Sequence, residues 1–225
     1  MTSLAPLAPL GILGGTFDPV HWGHLRLAEE ASEQLGLAAV RWIPAGQPAH
    51  RHAPQASARH RLDMVRLAIA GNANFQLDDA EVQADTPSYS VPTLQRLREE
   101  QGLARPLVLL LGADAFLGLT GWYCWQELFG LAHIAVATRP GNPLDAACLP
   151  AALSREYLAR QCDDPARLKS CPAGLILPFS ITPLDISATR LRESLALGHS
   201  PRYLLPDPVL DHISRHTLYS PSPAP

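Results

Sequence analysis

The chain has 225 residues, of which 47% are hydrophobic and 17% charged, a composition typical of a globular core and not of a disordered segment. Its formal net charge of −3 gives no general positive field, which argues against a nucleic-acid partner. No apolar run reaches the length of a membrane span, so we expect no membrane partner either.

The cysteines and the first residues indicate the compartment. Four cysteines include no C-x-x-C pair and no zinc-finger spacing, which favours reduced thiols over a disulfide framework. Residues 1–9 contain prolines and no positive charge, unlike a signal peptide. These features predict a cytoplasmic protein. Because no linker divides the chain, we expect a single domain over residues 1–225.

A glycine-rich turn between a short strand and a helix is the first informative stretch. Residues 10–13 form an apolar run typical of a buried strand, and residues 25–35 carry apolar side chains at helical spacing. Gly14 and Gly15 allow the backbone to approach a ligand closely. A helix start offers unpaired backbone N–H groups and the positive end of the helix dipole. We therefore predict a phosphate site at this turn.

The charges at this turn point the same way. His21, His24 and Arg26 lie at or near the first helical turn, where a cation opposes the dipole. Histidines that merely cap the helix are the alternative. A bound anion would compensate the opposing charges, and the pattern His-x-Gly-His directly behind Gly-Gly-Thr-Phe-Asp-Pro favours that interpretation.

The next strand leads into a second candidate site. Residues 39–43 are apolar, and the alternation of strands and helices with short links predicts a parallel sheet. The loop over 44–54 leaves this strand at the edge where open α/β sheets bind ligands. His50 and Arg51 are therefore candidates to bind a substrate phosphate, and a solvated surface loop is the alternative.

Two helices and a strand follow. Ser57 is predicted to N-cap a helix that continues to Ala70 and packs in the core with no chemical role. Residues 75–82 predict a strand followed by a charged turn. Ser90 is predicted to N-cap a helix over 91–100, and a cap alone would explain a serine there.

Two later strands end in polar residues. Residues 107–111 are all apolar and predict a buried strand, and Gly112 and Asp114 follow at its carboxyl end. A carboxylate in that position lies at the ligand edge of the sheet, although the motif alone is weakly specific. Residues 133–137 predict another strand, followed by a turn that contains Arg139.

Aromatic residues cluster between these two strands. Trp122, Tyr123 and Trp125 fall within four positions of a chain that is only 6% aromatic. Core packing explains at least one of them. The density also predicts that one lines a pocket for a flat ring.

The last elements are a helix over 151–160, a strand over 174–179, and two helices near the C-terminus. Ser187 is predicted to N-cap the first of these two helices, which ends before Gly198. Asp207 is predicted to N-cap the second.

The start of the first C-terminal helix carries an unusual set of side chains. A capping box would have an acid at position 190, but the chain has Arg190, with Arg192 two residues later. Cations thus oppose a helix dipole for a second time, here beside the hydroxyls of Ser187 and Thr189. One bound polyanion explains the cations at both helix starts better than two unrelated coincidences do.

Together these motifs resemble a known family. The run GGTFDPVHWGH and the run ISATRLR are similar to the signatures of the HxGH nucleotidyltransferases, and four shorter motifs narrow the resemblance to bacterial nicotinate-nucleotide adenylyltransferases. Ala188 departs from the family's Ile-Ser-Ser-Thr pattern, and Ser90 stands where threonine is frequent. The resemblance extends from Leu10 to the last helix. The motifs occupy residues 14–24, 87–90, 112–114, 122–123, 139–141 and 186–192.

The resemblance implies an α/β fold, a Rossmann-like doubly wound parallel sheet with helices on both faces. It also implies transfer of AMP from MgATP to nicotinate mononucleotide, with nicotinate adenine dinucleotide and pyrophosphate as products. Mg²⁺ would be carried with the ATP, so no residue is predicted to ligate a metal. The two small-molecule substrates would be the partners.

The resemblance also assigns roles to residues. His24 and His21 would be the catalytic groups at the ATP phosphates, and the helices after about residue 187 would complete the ATP site. The residues expected to bind ATP are Gly14, Gly15, Thr16, Phe17, His21, His24, Gly112, Asp114, Arg139, Ser187, Thr189 and Arg192. Those expected to bind nicotinate mononucleotide are His50, Arg51, Ser90, Trp122 and Tyr123.

Two other functions are open at this point. One is a different adenylyl or cytidylyl transferase on the same scaffold, with nicotinamide mononucleotide or pantetheine phosphate as acceptor. The other is a non-catalytic nucleotide-sensing domain, against which the intact His-x-Gly-His motif argues.

Overall fold

The computed structural model describes residues 7–49, 53–141 and 143–220. The strands are β1 (Leu10–Gly15), β2 (Ala39–Pro44), β3 (Gln47–Pro48), β4 (Phe75–Leu77), β5 (Pro87–Ser88), β6 (Leu107–Gly112), β7 (His133–Thr138) and β8 (Ile176–Ser180). The α-helices are α1 (Trp22–Leu35), α2 (Ala58–Ile69), α3 (Ala80–Gln83), α4 (Ser90–Gln101), α5 (Ala113–Leu117), α6 (Leu128–Leu131), α7 (Ala151–Arg160), α8 (Ala188–Ala196) and α9 (Asp207–Arg215).

Six strands form one sheet in the order β4-β2-β1-β6-β7-β8. The pairs β1–β6, β6–β7 and β7–β8 are parallel, with Leu10 opposite Leu107 and Ile134 opposite Ile176. Numbered along the chain, these strands have the order 3-2-1-4-5-6 of a dinucleotide-binding fold. The predicted Rossmann-like α/β fold is confirmed. The order reverses between β1 and β6, the place where such sheets bind ligands.

By its contacts the chain forms two compact units. Among the described residues, the first unit comprises residues 7–13, Leu27–Arg41 and Tyr89–Pro183. The second unit comprises Gly14–Arg26, Trp42–Ser88 and residues 184–220, again for the described residues only. A single nucleotidyltransferase domain over residues 1–225 stays a prediction.

The first unit has an apolar core on the central strands. All six residues of β7 are buried, as are Leu107–Leu111 of β6, which the continuous apolar run predicted. Arg98 is also buried in this unit. Its guanidinium donates hydrogen bonds to the carbonyl oxygens of Leu131 (2.7 Å) and Pro172 (2.6 Å).

The second unit packs around Trp42, which is fully buried. The rings of Phe17 and Phe75 each have their centroid 5.4 Å from that of Trp42. Beside this cluster β3 and β5 form a short parallel pair, and the N–H of Gly46 donates to Ser88 Oγ at 3.0 Å.

Gly46 lies closer to its neighbours than any larger residue could. A Cβ at this position would lie 2.0 Å from the carbonyl oxygen of Glu81, which is backbone and cannot rotate away. We expect Gly46→Ala to lower the free energy of unfolding by about 1–3 kcal/mol or more, the cost of overpacking. Denaturant unfolding measures this. The control is Gly130→Ala, where an added Cβ meets nothing within 4 Å. Equal stability of the two variants would contradict the close packing at Gly46.

Several element boundaries differ from the predictions. Helix α4 begins at Ser90 with Tyr89 as N-cap, and α9 begins at Asp207 with Pro206 as N-cap, so both predicted caps are wrong by one residue. The predicted loop over 44–54 contains β3, and the predicted turn after β4 contains α3. The caps of α2 and α8 are confirmed: Ser57 Oγ accepts from the N–H of His60, and Ser187 Oγ from the N–H of Arg190, both at 3.3 Å.

The four cysteines all lie within the described residues and are free thiols, as their spacing predicted. Among the helices that the structure describes, none combines the length and the apolar composition needed to cross a bilayer.

Candidate active site

The glycine-rich turn leaves β1 in an unusual backbone conformation. Strand β1 continues to Gly15, two residues further than predicted. Phe17, which is only 3% exposed, then adopts a positive φ of 51°. For a residue other than glycine, this backbone conformation costs of order 1 kcal/mol. A Cβ on Gly15 would lie 2.9 Å from the Phe17 ring, so this close approach requires glycine. An added Cβ on Gly14 would meet nothing within 4 Å, which leaves this part of the backbone open to a ligand.

The two histidines of the turn stack on each other. The ring centroids of His21 and His24 are 3.8 Å apart with an interplanar angle of 31°. The backbone N–H of His21 donates to His24 Nδ1 at 3.3 Å, so Nε2 carries the hydrogen when the His24 ring is neutral. The edge of the Phe17 ring meets His24 at a centroid distance of 5.1 Å. These contacts fix the orientation of a donor nitrogen.

His21 is buried, and burial lowers its pKa from 6.5 to about 4. The expectation that His21 opposes the helix dipole as a cation is therefore wrong, because the ring is neutral near pH 7. Its Nδ1 is buried without a hydrogen-bond partner among the described residues. The ring lies over Gly23, where an added Cβ would be 3.0 Å from Nδ1, so the central glycine of His-x-Gly-His leaves room for it.

The start of α1 offers fewer open donors than the sequence predicted. The N–H of Trp22 donates to the carbonyl oxygen of Leu204 at 3.2 Å. Those of His24 and Leu25 donate to the carbonyl oxygen of His21, at 3.0 and 3.3 Å. For these three groups the prediction of unpaired N–H donors is wrong, since the turn and the C-terminal chain occupy them.

Asp18 organises the turn, a role that no local sequence pattern predicted. Its buried carboxylate accepts from the N–H groups of Gln55 (2.8 Å) and Ala56 (3.1 Å) and from the hydroxyl of Tyr219 (2.6 Å). Burial and the bond to this carboxylate raise the pKa of Tyr219 well above its ordinary value, so Tyr219 stays a donor. Asp18 thus connects the turn to two distant parts of the chain.

Arg61 is a second residue that the sequence analysis missed, since helix α2 was predicted to have only a packing role. It is 1% exposed, and its guanidinium donates to the carbonyl oxygens of Thr16 (2.8 Å), Gly46 (2.9 Å) and Ala56 (3.3 Å). Burial lowers its pKa, and the nearby negative charge of Asp18 acts in the opposite direction. Arg61 therefore fixes the backbone of the turn through hydrogen bonds to its carbonyl oxygens.

Helix α8 brings Arg192 to the turn. Its Nη1 donates to the carbonyl oxygen of Asp18 at 2.7 Å and lies 4.0 Å from the Asp18 carboxylate. Nη2 donates to Thr189 Oγ1 at 3.3 Å, and Nε is buried without a partner among the described residues. Asp18 therefore compensates part of the positive charge of Arg192, for which the sequence predicted a bound anion alone. Ser187 is half-buried at the start of the same helix.

The hydroxyl of Tyr219 offers a test of this network. We expect Tyr219→Phe to cost about 1.5–3 kcal/mol of stability, because a hydrogen bond to a buried carboxylate is lost. We also expect a weaker hold on Arg192 and a higher KM for the phosphate substrate that this turn is predicted to bind. Thermal unfolding and initial rates measure the two effects. Tyr203→Phe, at an 82% exposed tyrosine, is the control and should behave like wild type. If Tyr219→Phe matches that control in both measurements, the hydrogen bond contributes neither to stability nor to substrate binding.

In the first unit, Gly112 is the last residue of β6 and the N-cap of α5. Asp114 lies exposed in the first turn of α5, and Arg139 lies exposed directly after β7. Because Gly112 of β6 pairs with Ala137 of β7 in a parallel ladder, the ends of both strands lie at the same edge of the sheet. The predicted placement of Gly112 and Asp114 at the end of a central strand is confirmed, and their binding of ATP stays a prediction.

A second group in the first unit lies at the start of α4. Ser90 is half-buried and is the first residue of the helix, not its N-cap. The neighbouring Tyr89 ring stacks on Tyr123 at a centroid distance of 4.8 Å, which brings Tyr123 to this helix start. Trp122 is half-buried and Tyr123 is 53% exposed. His50 and Arg51, also predicted to bind the acceptor, lie outside the described residues.

The fold resembles solved structures of known activity. Plasmodium falciparum nicotinic acid mononucleotide adenylyltransferase complexed with NaAD has a TM-score of 0.70 and 16% identity, covering 94% of this chain and 97% of its own. The same Plasmodium enzyme complexed with APC has a TM-score of 0.65 and 17% identity, with the same coverage. At these identities the likeness shows the fold alone.

Sequence relatives are much more similar. A family model described as cytidylyltransferase-like matches residues 12–194. A protein of Dechloromonas aromatica named "Probable nicotinate-nucleotide adenylyltransferase" is 58% identical over 211 residues, which cover 94% of this chain and 97% of its own. A protein of the same name from Acidithiobacillus ferrooxidans is 48% identical over 93% of this chain and 95% of its own. The resemblance found in the motifs is confirmed, and the chain belongs to the nicotinate-nucleotide adenylyltransferase family.

Proposed function

We propose that this enzyme transfers AMP from MgATP to nicotinate mononucleotide, with nicotinate adenine dinucleotide and pyrophosphate as products. Family membership supports the reaction. The observation that carries the mechanism is the convergence at one turn of two stacked histidines and the Arg192 guanidinium, held in place through buried Asp18.

The reaction needs little proton chemistry from the protein. The attacking group is a phosphate monoester whose second pKa is about 6, so it is largely ionised at neutral pH. One of its oxygens forms a bond to the α-phosphorus of ATP. The bond from this phosphorus to the bridging oxygen breaks, and that oxygen leaves with its electron pair as part of pyrophosphate. Catalysis then consists of positioning and stabilisation of charge along an in-line path.

The second unit supplies groups suited to the ATP phosphates. His24 Nε2–H is an oriented donor, and the neutral His21 ring packs against it. Arg192 supplies a positive charge with a planar set of donors, beside the hydroxyl of Thr189. In the proposed roles, these groups and Ser187 stabilise the triphosphate and the departing pyrophosphate. The backbone at Gly14 to Phe17 lies along the nucleotide.

The first unit supplies groups suited to a pyridine ring. Ser90 and the start of α4 offer a hydroxyl and the positive end of a helix whose first turn contains no acid. Trp122 supplies an aromatic surface, and Tyr123 a second ring nearby. We assign the nicotinate group to these residues, the mononucleotide phosphate to His50 and Arg51, and further ATP contacts to Gly112, Asp114 and Arg139.

Mg²⁺ enters as part of the substrate MgATP. The buried carboxylate of the turn, Asp18, already accepts three hydrogen bonds and lies beside Arg192, so it is poorly placed to ligate a cation. Phosphate oxygens and water are the ligands that Mg²⁺ prefers in nucleotide sites.

Arg192 tests the phosphate assignment. A charge-assisted, often bidentate arginine–phosphate contact contributes roughly 1.5–3 kcal/mol, so Arg192→Ala should lower kcat/KM for ATP by tens of fold. Arg192→Lys should recover only part of this loss, because lysine lacks the planar donor geometry. Steady-state kinetics with varied ATP measure both. If both variants use ATP like wild type, Arg192 has only a structural role.

Pyrophosphate release with ATP and single acceptors tests the proposed function itself. We expect release with nicotinate mononucleotide and little with nicotinamide mononucleotide or pantetheine phosphate. ATP binding without turnover on any acceptor would favour the nucleotide-sensing alternative. Faster turnover of another acceptor would favour a different transferase on the same scaffold.

A further inference from the structure

Three histidines converge in the second unit, apart from the HxGH turn. His60 lies in the first turn of α2, His212 in the last turn of α9, and His216 is the C-cap of α9. Each offers one ring nitrogen, and these three atoms all lie within 4.8 Å of one another. The closest pair, His60 Nδ1 and His212 Nε2, is 3.1 Å apart. Histidines so close together are a recognised ligand set for a metal ion.

The backbone sets up this arrangement. His212 and His216 are four residues apart at the end of α9, a spacing that places both on one face of the helix. Helix α9 packs against α2, which presents His60 to that face. The ring centroids of His60 and His216 are 4.7 Å apart, and those of His212 and His216 are 4.5 Å apart. Two elements that are distant in sequence thus contribute to one cluster.

The chemistry of the cluster suits a cation. One of the two rings, His60 or His212, donates a hydrogen bond to the other through Nδ1 and Nε2, and an ion takes both nitrogens as ligands once the donor ring carries its hydrogen on its other nitrogen. Asp63, on α2, lies near His212 and is itself paired with Arg59 and Arg66. Imidazole nitrogens suit Zn²⁺ and similar transition-metal ions, whereas Mg²⁺ prefers oxygen ligands.

One distance in the cluster, between His60 Nδ1 and His212 Nε2, is close to that of a tetrahedral site, and all three nitrogens lie within 4.8 Å of one another. Zn–N bonds of about 2.0–2.1 Å place two coordinating nitrogens about 3.3–3.5 Å apart. The His60–His212 separation of 3.1 Å therefore needs to widen by only a few tenths of an ångström. His216 is exposed and lies at the end of its helix, so its side chain can close the remaining distance.

We propose that His60, His212 and His216 form a binding site for Zn²⁺ or a similar transition-metal ion, with the fourth position open to water. The ion joins the end of α9 to the start of α2. Tyr219, which donates to Asp18 of the HxGH turn, follows His216 by three residues. Metal binding therefore stabilises the C-terminal segment that supports the turn.

Calorimetric titration with Zn²⁺ tests this, using the full chain without an affinity tag after treatment with a chelator. We expect one equivalent to bind and the thermal unfolding temperature to rise. Co²⁺ should give the visible absorption of a four-coordinate ion. Loss of outer-shell partners alone lowers metal affinity 10–100-fold, so His216→Ala and His60→Gln, which remove ligands, should each weaken binding by ~10²-fold or more.

Two controls locate the site. His199→Ala removes an exposed histidine outside the cluster, and His24→Ala removes one of the stacked pair in the HxGH turn. Both should bind Zn²⁺ like wild type. The proposal fails if wild type gives neither binding heat nor a shift in unfolding temperature. It also fails if His216→Ala and His60→Gln bind as tightly as wild type, or if His24→Ala alone abolishes binding.

Discussion

Replacing His24 with alanine should lower kcat by ~10²–10⁴, the range for loss of one positioned group that stabilises charge in a transition state. The His24 ring is held by the N–H of His21 at Nδ1, by stacking on the His21 ring and by the edge of Phe17. Its Nε2–H donor is therefore oriented before substrate binds. Because the contact strengthens as charge develops on the phosphates, KM for ATP should change much less than kcat.

Control variants distinguish a loss of catalysis in His24→Ala from a loss of folding. His199→Ala, at an exposed histidine, should keep wild-type kcat. His24→Gln retains an N–H donor and should recover part of the loss. Circular dichroism and unfolding temperature check that each variant is folded. A folded His24→Ala enzyme with kcat within a few-fold of wild type would contradict the role of His24.

A second large effect is expected in the choice between the two possible acceptor substrates. We expect kcat/KM for nicotinate mononucleotide to exceed that for nicotinamide mononucleotide by at least ~10²-fold. The helix start at Ser90 has no acid in its first turn, and its backbone N–H groups and positive dipole end would favour a carboxylate. The NH₂ group of a neutral carboxamide would find no matching acceptor among these N–H groups. Unpaired buried polar groups cost about 1–3 kcal/mol each, so two such defects give on the order of 10²-fold.

In the proposed acceptor site, Trp122 would supply the aromatic surface under the pyridine ring. Trp122→Ala should lower kcat/KM for nicotinate mononucleotide and reduce the preference, since the ring is then less firmly placed against the donors. Tyr203→Ala, which removes an 82% exposed aromatic side chain, is the matched control. Competition kinetics with both acceptors measure the preference. Equal kcat/KM values for the two acceptors in the wild-type enzyme would refute this assignment of the pocket.

The sequence predicted the fold well where local pattern decides it. The continuous apolar run of β6 and the helical spacing after the turn identified the sheet and α1. The predicted caps at Ser90 and Asp207 failed by one residue. Serine and aspartate favour the N-cap, but the cap is the residue whose backbone is still extended before the helix, and here those residues are Tyr89 and Pro206.

What the sequence did not predict depends on contacts between distant residues. Asp18 and Tyr219 are 201 positions apart, and Arg61 and Thr16 are 45 apart, so no local spacing reveals either bond. The neutral state of His21 follows from its burial, which only the packed structure defines. The three clustered histidines likewise come from two elements that meet only in the fold.

The stereochemical course at the α-phosphorus distinguishes direct transfer of AMP from transfer through the enzyme. In the proposed mechanism the phosphate of nicotinate mononucleotide attacks this atom directly, while the histidines and Arg192 only hold and stabilise the phosphates. ATP with sulfur on a chiral α-phosphorus should give the thio-analogue of nicotinate adenine dinucleotide with inverted configuration, as one in-line displacement requires. Retention would mean two displacements through an adenylylated residue of the enzyme, and that result would rule out direct attack by the mononucleotide phosphate.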